Sequence, residues 1–176
     1  MHASVRDATP ADVPAIASIY AAEVRGHVNT YEYEAPDAAE MARRMQAIVG
    51  AGYPYLVAED EAGIAGYAYA SSYRARAGYR FTVENSVYVA AGRQGHGIGS
   101  ILLGRLLAEC EARGFRQMIA VIGEPSNTAS IRLHQKFGFR LAGTFHGIAW
   151  KHGRWLDTVQ MQREIGTGNH EPPHDR

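Results

Sequence analysis

Apolar residues first fall three and four positions apart: Val13, Ile16, Ala17, Tyr20 and Val24 share one face of a predicted helix. Asp7 or Thr9 caps it, and Pro10 falls near the first turn, where a missing N–H removes no helical bond. AAEMARRMQAIVGAGYP reads as a second helix, stopped by Gly and Pro. The period then changes. YLVAEDEAGIAGYAYASSY predicts a hairpin, with Leu56, Val57 and Ala58 in one strand and Glu-Ala-Gly at the turn. FTVENSVYVA, rich in β-branched and aromatic residues, is the strongest strand.

SILLGRLLAECEARG returns to helical spacing through Ile98, Ile101, Leu102, Leu106 and Cys110, with Gly114 as its C-terminal cap. RQMIAVIG predicts another apolar strand, and SNTASIRLHQKFG a helix capped near Ser126 or Asn127. FRLAGTFHGIAW and DTVQMQREI are the closing strands, joined by KHGRWLD. The early hairpin and the two closing strands exclude a purely parallel sheet. The expected class is α/β (mixed α+β), a mixed sheet covered by helices.

Composition narrows the partners. The 176 residues fit one domain, and 18 basic residues balance 18 acidic ones, which argues against a general nucleic-acid or acidic-membrane binder. The single cysteine, Cys110, excludes an internal disulfide framework and suits a reducing cytoplasm. The N-terminal segment has no apolar core of a signal peptide, and no run approaches the ~18 apolar residues of a membrane span. The Gly-, Pro- and His-containing segment 167–176 is expected to be a disordered tail.

RQGHGIGS follows the strongest strand and opens a long helix. A helix N-terminus offers unpaired N–H groups and a positive dipole end, and glycine lets a phosphate approach the backbone. No G-K-[ST] follows, so this is not a Walker loop, and glycines at 95, 97 and 99 miss the G-x-G-x-x-G spacing of a dinucleotide fold. The remaining reading is a pyrophosphate cradle outside a Rossmann domain.

Gln94, Gly95, His96, Gly97, Ile98 and Gly99 resemble the Q/R-x-x-G-x-G/A motif of the GCN5-related N-acetyltransferases (GNAT). The run from Asn127 to Ser130, with Gly138 and Phe139, is similar to that superfamily's second cofactor motif. A narrower resemblance is to the phosphinothricin and methionine sulfoximine acetyltransferases. It is carried by T-V-E-x-S-V-Y-V at 82–89, A-V-I-G at 120–123, R-L-H-x-x-x-G-F at 132–139 and K-H-G-x-W-x-D at 151–157. The resemblance implies a single N-acetyltransferase domain over 1–166, helices on both sheet faces, and acetyl-CoA held between splayed parallel strands at 82–90 and 116–123. Val87, Tyr88 and Val89 would pair with the pantetheine arm, the backbone from Gln94 to Ser100 would hold the pyrophosphate, and Asn127 and Ser130 would lie near the thiol.

Direct transfer to an amine needs a group that removes the ammonium proton and one that protonates the departing thiolate. Glu84, in an apolar strand, suits the first role. His134 stands where much of the superfamily has tyrosine, and the narrower family also carries histidine there. An imidazole at that place is a proton carrier or a packed core group, and the sequence leaves both open. No H-x-x-x-H pair accompanies it, so no metal is expected. Arg74, Arg76 and Arg80 precede Glu84, and their guanidinium forks suit carboxylate, phosphinate or sulfone oxygens. By the resemblance, Tyr31 falls where relatives place an aromatic wall, and Tyr79 and Tyr88 are expected to add to it.

The implied acceptor is a small amino-acid analogue of the phosphinothricin, methionine sulfoximine or methionine sulfone type, and the implied role is detoxification in a cytoplasmic homodimer. Two rivals are acetylation of proteins or peptides, which needs an open groove, and a regulatory acyl-CoA-binding domain, against which Glu84 and His134 both argue.

Overall fold

In a computed structural model, which describes residues 3–173, the chain builds one seven-stranded mixed sheet. The elements are β1 (Ser4–Asp7), α1 (Val13–Gly26), α2 (Ala38–Gly50), β2 (Tyr55–Asp60), β3 (Gly63–Ser72), β4 (Thr82–Val89), α3 (Ile98–Ala112), β5 (Gln117–Ile122), α4 (Thr128–Lys136), β6 (Arg140–Lys151) and β7 (Arg154–Glu164). The spatial order is β1-β2-β3-β4-β5-β7-β6. Every pairing is antiparallel except β4 with β5.

Local chemistry sets the boundaries. Thr9 opens a short 3-10 turn over Pro10–Asp12, and Asp12 accepts from the Thr9 N–H at 2.7 Å while pairing with Arg6. Asp37 caps α2 by accepting from the Glu40 N–H at 2.8 Å. Gly114, at φ +77°, ends α3, and the Phe115 N–H returns to the Cys110 carbonyl at 3.1 Å. The predicted KHGRWLD loop is shorter than expected. His152 and Gly153 both take positive φ and make a two-residue turn, so Trp155, Leu156 and Asp157 belong to β7.

Two cores lie on opposite faces. α3 packs Leu102, Leu103, Leu106 and Cys110 with Leu56, Ala68, Val83 and Met118, and Leu133 and Phe137 of α4 border that cluster. α1 and α2 pack Ile16, Tyr20, Met41 and Met45 with Tyr55, Val57 and Tyr67. Ile101, expected in the buried stripe, is 38% exposed, and Leu103 and Leu107 take its place because α3 lies flat on a sheet that covers a wide arc of the helix. Of the expected tail, residues 167–173 are described: Gly168 N–H bonds the Ile165 carbonyl and His170 N–H that of Thr167. Residues 174–176 lie outside the described residues. Among the described residues, no helix is long and apolar enough to cross a membrane.

Leu102 has no exposed surface and sits centrally in the α3 face. Leu102→Ala is expected to lower unfolding free energy by about 2–5 kcal/mol, read from urea denaturation; a loss under ~1 kcal/mol contradicts this packing.

Candidate active site

β4 and β5 run side by side only from Thr82↔Gln117 to Asn85↔Ala120. Beyond that point β5 continues against β7 through Ile122, and β4 continues against β3 through Val89. The two parallel strands therefore part, and among the described residues no strand lies beside the β5-facing edge of β4 from Ser86 onward. Into this fork opens a cleft of about 840 Å³. Unpaired strand edges are ready partners for an extended ligand.

One end of the cleft is the glycine loop. Gly92, Gly95 and Gly97 all have φ between +77° and +84°, which side chains resist, and Gly97 caps α3. The first turn of α3 thus faces the cleft with its free N–H groups. Gly99 is close against Leu133, so an added Cβ would lie 3.2 Å from that side chain. Lys136 donates to Ser100 Oγ at 3.1 Å and, with Arg132, lines this end. The donor set suits a pyrophosphate. Arg93 also lines it and pairs with Asp60.

At the fork lie the chemically useful side chains. Successive strand residues point to opposite faces, so Glu84 leaves β4 toward the α1/α2 side and Asn85 toward α4. Burial raises the Glu84 carboxyl above the usual range. His134 is 4% exposed. Its Nε2 is 3.0 Å from Asn85 Oδ1, its Nδ1 is 2.8 Å from the Ser130 carbonyl, and Phe139 meets it edge-on. Burial lowers its pKa and the Ser130 carbonyl opposes that shift.

The segment between α1 and α2 forms the opposing wall. Lys151 is 1% exposed and donates to the carbonyls of His27 and Thr30 at 2.8 and 2.7 Å. Gly123 leaves no room for a side chain, since a Cβ there would lie 2.0 Å from the Val28 carbonyl oxygen. Tyr31, held by Thr158 Oγ1 at 2.5 Å, is thereby fixed at the cleft. Asn127 caps α4 by accepting from the Ser130 N–H at 3.1 Å, and its Nδ2 donates to Asn29 Oδ1 at 2.7 Å.

The cleft gathers Tyr31, Glu84, Val87, Tyr88, Val89, Gln94, Gly95, Gly97, Ile98, Gly99, Ser100, Asn127, Ser130 and His134 of the sequence-predicted set. His96 is exposed, points Nδ1 to the Gln94 carbonyl and does not line it. Arg74, Arg76, Tyr79 and Arg80 are also outside it, on the rim segment between β3 and β4; Arg74 lies over Tyr73 and Tyr79, and Arg80 over Phe81. Asn85, Lys136 and Lys151 were not singled out by sequence reasoning. A lysine spaced among strand residues was the available signal for Lys151.

The sequence profile of the acetyltransferase (GNAT) family matches residues 14–139. The chain is 46% identical over 166 residues to a phosphinothricin N-acetyltransferase of Alcaligenes faecalis, covering 94% of this chain and 84% of that protein. It is 42% identical over 167 residues to an L-methionine sulfoximine/L-methionine sulfone acetyltransferase of Pseudomonas paraeruginosa, covering 94% and 96%. The crystal structure of a phosphinothricin acetyltransferase from Sinorhizobium meliloti in complex with acetyl-CoA superposes with a TM-score of 0.96 at 50% identity, covering 99% of this chain and 95% of that one.

A carboxyl whose folded pKa lies above its unfolded value opposes folding once ionised; the penalty shrinks as pH falls through the folded pKa and is gone below the ordinary glutamate pKa of about 4.3. Glu84→Gln is therefore expected to raise the melting temperature at neutral pH, with the gain shrinking on acidification. A variant less stable than the parent at neutral pH would show instead that the carboxylate is held by favourable contacts.

Proposed function

The chain belongs to the GNAT acetyltransferase family, and from that premise we propose that it transfers the acetyl group of acetyl-CoA to the α-amino group of a small amino-acid analogue. The parting of β4 and β5 beside a buried Glu84 carries the reading. The open edge at Val87–Val89 holds the pantetheine arm by backbone bonds, and the α3 N-terminus with Ser100 and Lys136 takes the pyrophosphate. Acetyl-CoA supplies the thioester.

Glu84 removes the proton of the incoming ammonium, directly or through water. Its desolvated carboxylate, with pKa raised toward neutrality, is a stronger base than an exposed one. The neutral amine then attacks the thioester carbonyl, and His134 protonates the departing thiolate. No acetyl-enzyme forms. The acceptor class follows the relatives, which are named for phosphinothricin and for methionine sulfoximine and sulfone. Tyr31 supplies one wall. Ser71, the register partner of Glu84, lies one residue from the end of β3, which leads into the rim segment carrying Arg74, Arg76, Tyr79 and Arg80, so its cations stand ready for the acceptor's carboxylate and oxidised side chain.

We also propose a cytoplasmic homodimer with a detoxifying role. Leu141, Phe145, Ile148, Trp150 and Trp155 leave large apolar surfaces exposed on the β6/β7 hairpin, and a second copy of the chain covers them. The buried thiol of Cys110 is compatible with a reducing compartment.

A thiol-release assay across small amino-acid analogues and peptides tests the activity. Phosphinothricin, methionine sulfoximine or methionine sulfone is expected to give the highest kcat/KM; turnover of peptides alone contradicts the acceptor class. Glu84→Gln is expected to lower kcat by ~100- to 10,000-fold while leaving acetyl-CoA affinity within about twofold. An unchanged kcat removes Glu84 as the base. Light scattering is expected to give twice the monomer mass, and Trp155→Glu to reduce it; a monomeric parent contradicts the dimer.

A further inference from the structure

Asn85 is the last residue of β4 that pairs with β5, opposite Ala120. Its side chain spans the point where the strands part: Nδ2 donates to the Ile119 carbonyl at 3.2 Å, which turns Oδ1 toward His134 Nε2 at 3.0 Å. The other ring nitrogen faces the Ser130 carbonyl at 2.8 Å. Both nitrogens of the imidazole thus meet acceptors. Only the doubly protonated ring can donate to both.

A neutral ring keeps one N–H. Placed on Nε2 it serves Asn85 Oδ1, but the bare Nδ1 then faces the Ser130 carbonyl at 2.8 Å, with Ser130 Oγ, at 3.4 Å, as its one donor among the described residues. Placed on Nδ1 it serves the Ser130 carbonyl, and the bare Nε2 then confronts Asn85 Oδ1. Turning the carboxamide over brings Nδ2 to Nε2 and restores a hydrogen bond, but leaves Oδ1 against the Ile119 carbonyl. Neither amide orientation satisfies all the groups around a ring protonated on Nδ1 alone. Asn85 is 6% exposed, His134 4% and Ile119 8%, so bulk water does not fill the gap. The conflict belongs to the pair and disappears when the ring carries its second proton.

The charged neighbours do not decide the matter. Glu84 leaves the opposite face of β4. Arg132 and Lys136, on α4, line the cleft toward the glycine loop, with Lys136 on Ser100. β5 presents the Ile119 carbonyl, and Phe139, just before β6, meets the ring edge-on. Burial and the Ser130 carbonyl are the causes acting on the imidazole.

We propose that Asn85 is the positioning residue for His134, and that its carboxamide turns over when the imidazole releases the Nε2 proton. This rests on His134 as the proton donor to the departing thiolate. In that step the Nε2–H bond breaks and the thiol S–H bond forms. The ring becomes neutral, and Asn85 Nδ2–H exchanges its bond to Ile119 for one to Nε2. The reverse turn accompanies reprotonation, so the amide alternates once per turnover.

The test compares parent, Asn85→Asp, Asn85→Leu and His134→Phe in the pH dependence of kcat, alongside NMR titration of the His134 ring. A carboxylate at 85 accepts from the imidazolium in either orientation, so the His134 titration is expected about one pH unit or more above the parent's. Leucine removes the acceptor and is expected to move it downward. The kcat limb follows the same two directions, while the KM for acetyl-CoA stays within about threefold. Variants that scale kcat equally at all pH values, with an unmoved ring titration, overturn the proposal. Circular dichroism identifies a misfolded leucine variant, and the near-isosteric aspartate then carries the test alone. A His134→Phe enzyme with parental kcat and pH profile would remove His134 as proton donor. The ring titrations would still separate a coupled pair from an uncoupled one.

Discussion

Everything chemically useful in this protein depends on two parallel strands that stop pairing. Buried backbone groups need partners, and β4 past Asn85 has β3 on one side and, among the described residues, no strand on the other. A folded sheet normally closes such a gap. Here β5 is drawn away by six continuous residues of its antiparallel neighbour β7, paired from Gln117↔Glu164 to Ile122↔Val159. The resulting edge is a standing demand for an extended polar ligand, and a pantetheine arm, with its amides in a row, has the matching chemistry.

The fork also divides labour between the two faces of one strand. Alternation sends Glu84 to the α1/α2 face and Asn85 to the α4 face. A desolvated carboxylate and a buried imidazole therefore serve the same cleft without forming an ion pair that would neutralise both. The acceptor wall depends on a different device. Lys151 is buried with its ammonium on two carbonyls, and burial lowers its pKa. It fixes the turn after α1 against the sheet, so Tyr31 is presented by a rigid segment and not by a loose loop.

The helices were legible because their apolar faces are long, and β4 because β-branched and aromatic residues dominate it. The glycine loop was legible as the turn that opens α3, because glycines after a strand accommodate the positive φ that Gly92, Gly95 and Gly97 adopt. Two kinds of feature were not. Residue-level burial on α3 depended on how wide an arc the sheet covers, which put Leu103 inside and Ile101 out. Contacts between distant positions carry no local pattern: Asn85 and His134 are 49 residues apart, and Lys151 reaches a carbonyl 121 residues away. The rim arginines were read as site residues from their chemistry; they stand on the segment between β3 and β4 and do not line the cleft itself, a placement that a charge pattern does not encode.

The central claim is that the open edge of β4 is where acetyl-CoA binds. Hydrogen–deuterium exchange with and without saturating CoA measures it at single-segment resolution. The account predicts slowed exchange concentrated in 86–89 and 95–100, with β1 and β2 unchanged. Tight CoA binding that leaves 86–89 exchanging at the ligand-free rate would contradict it.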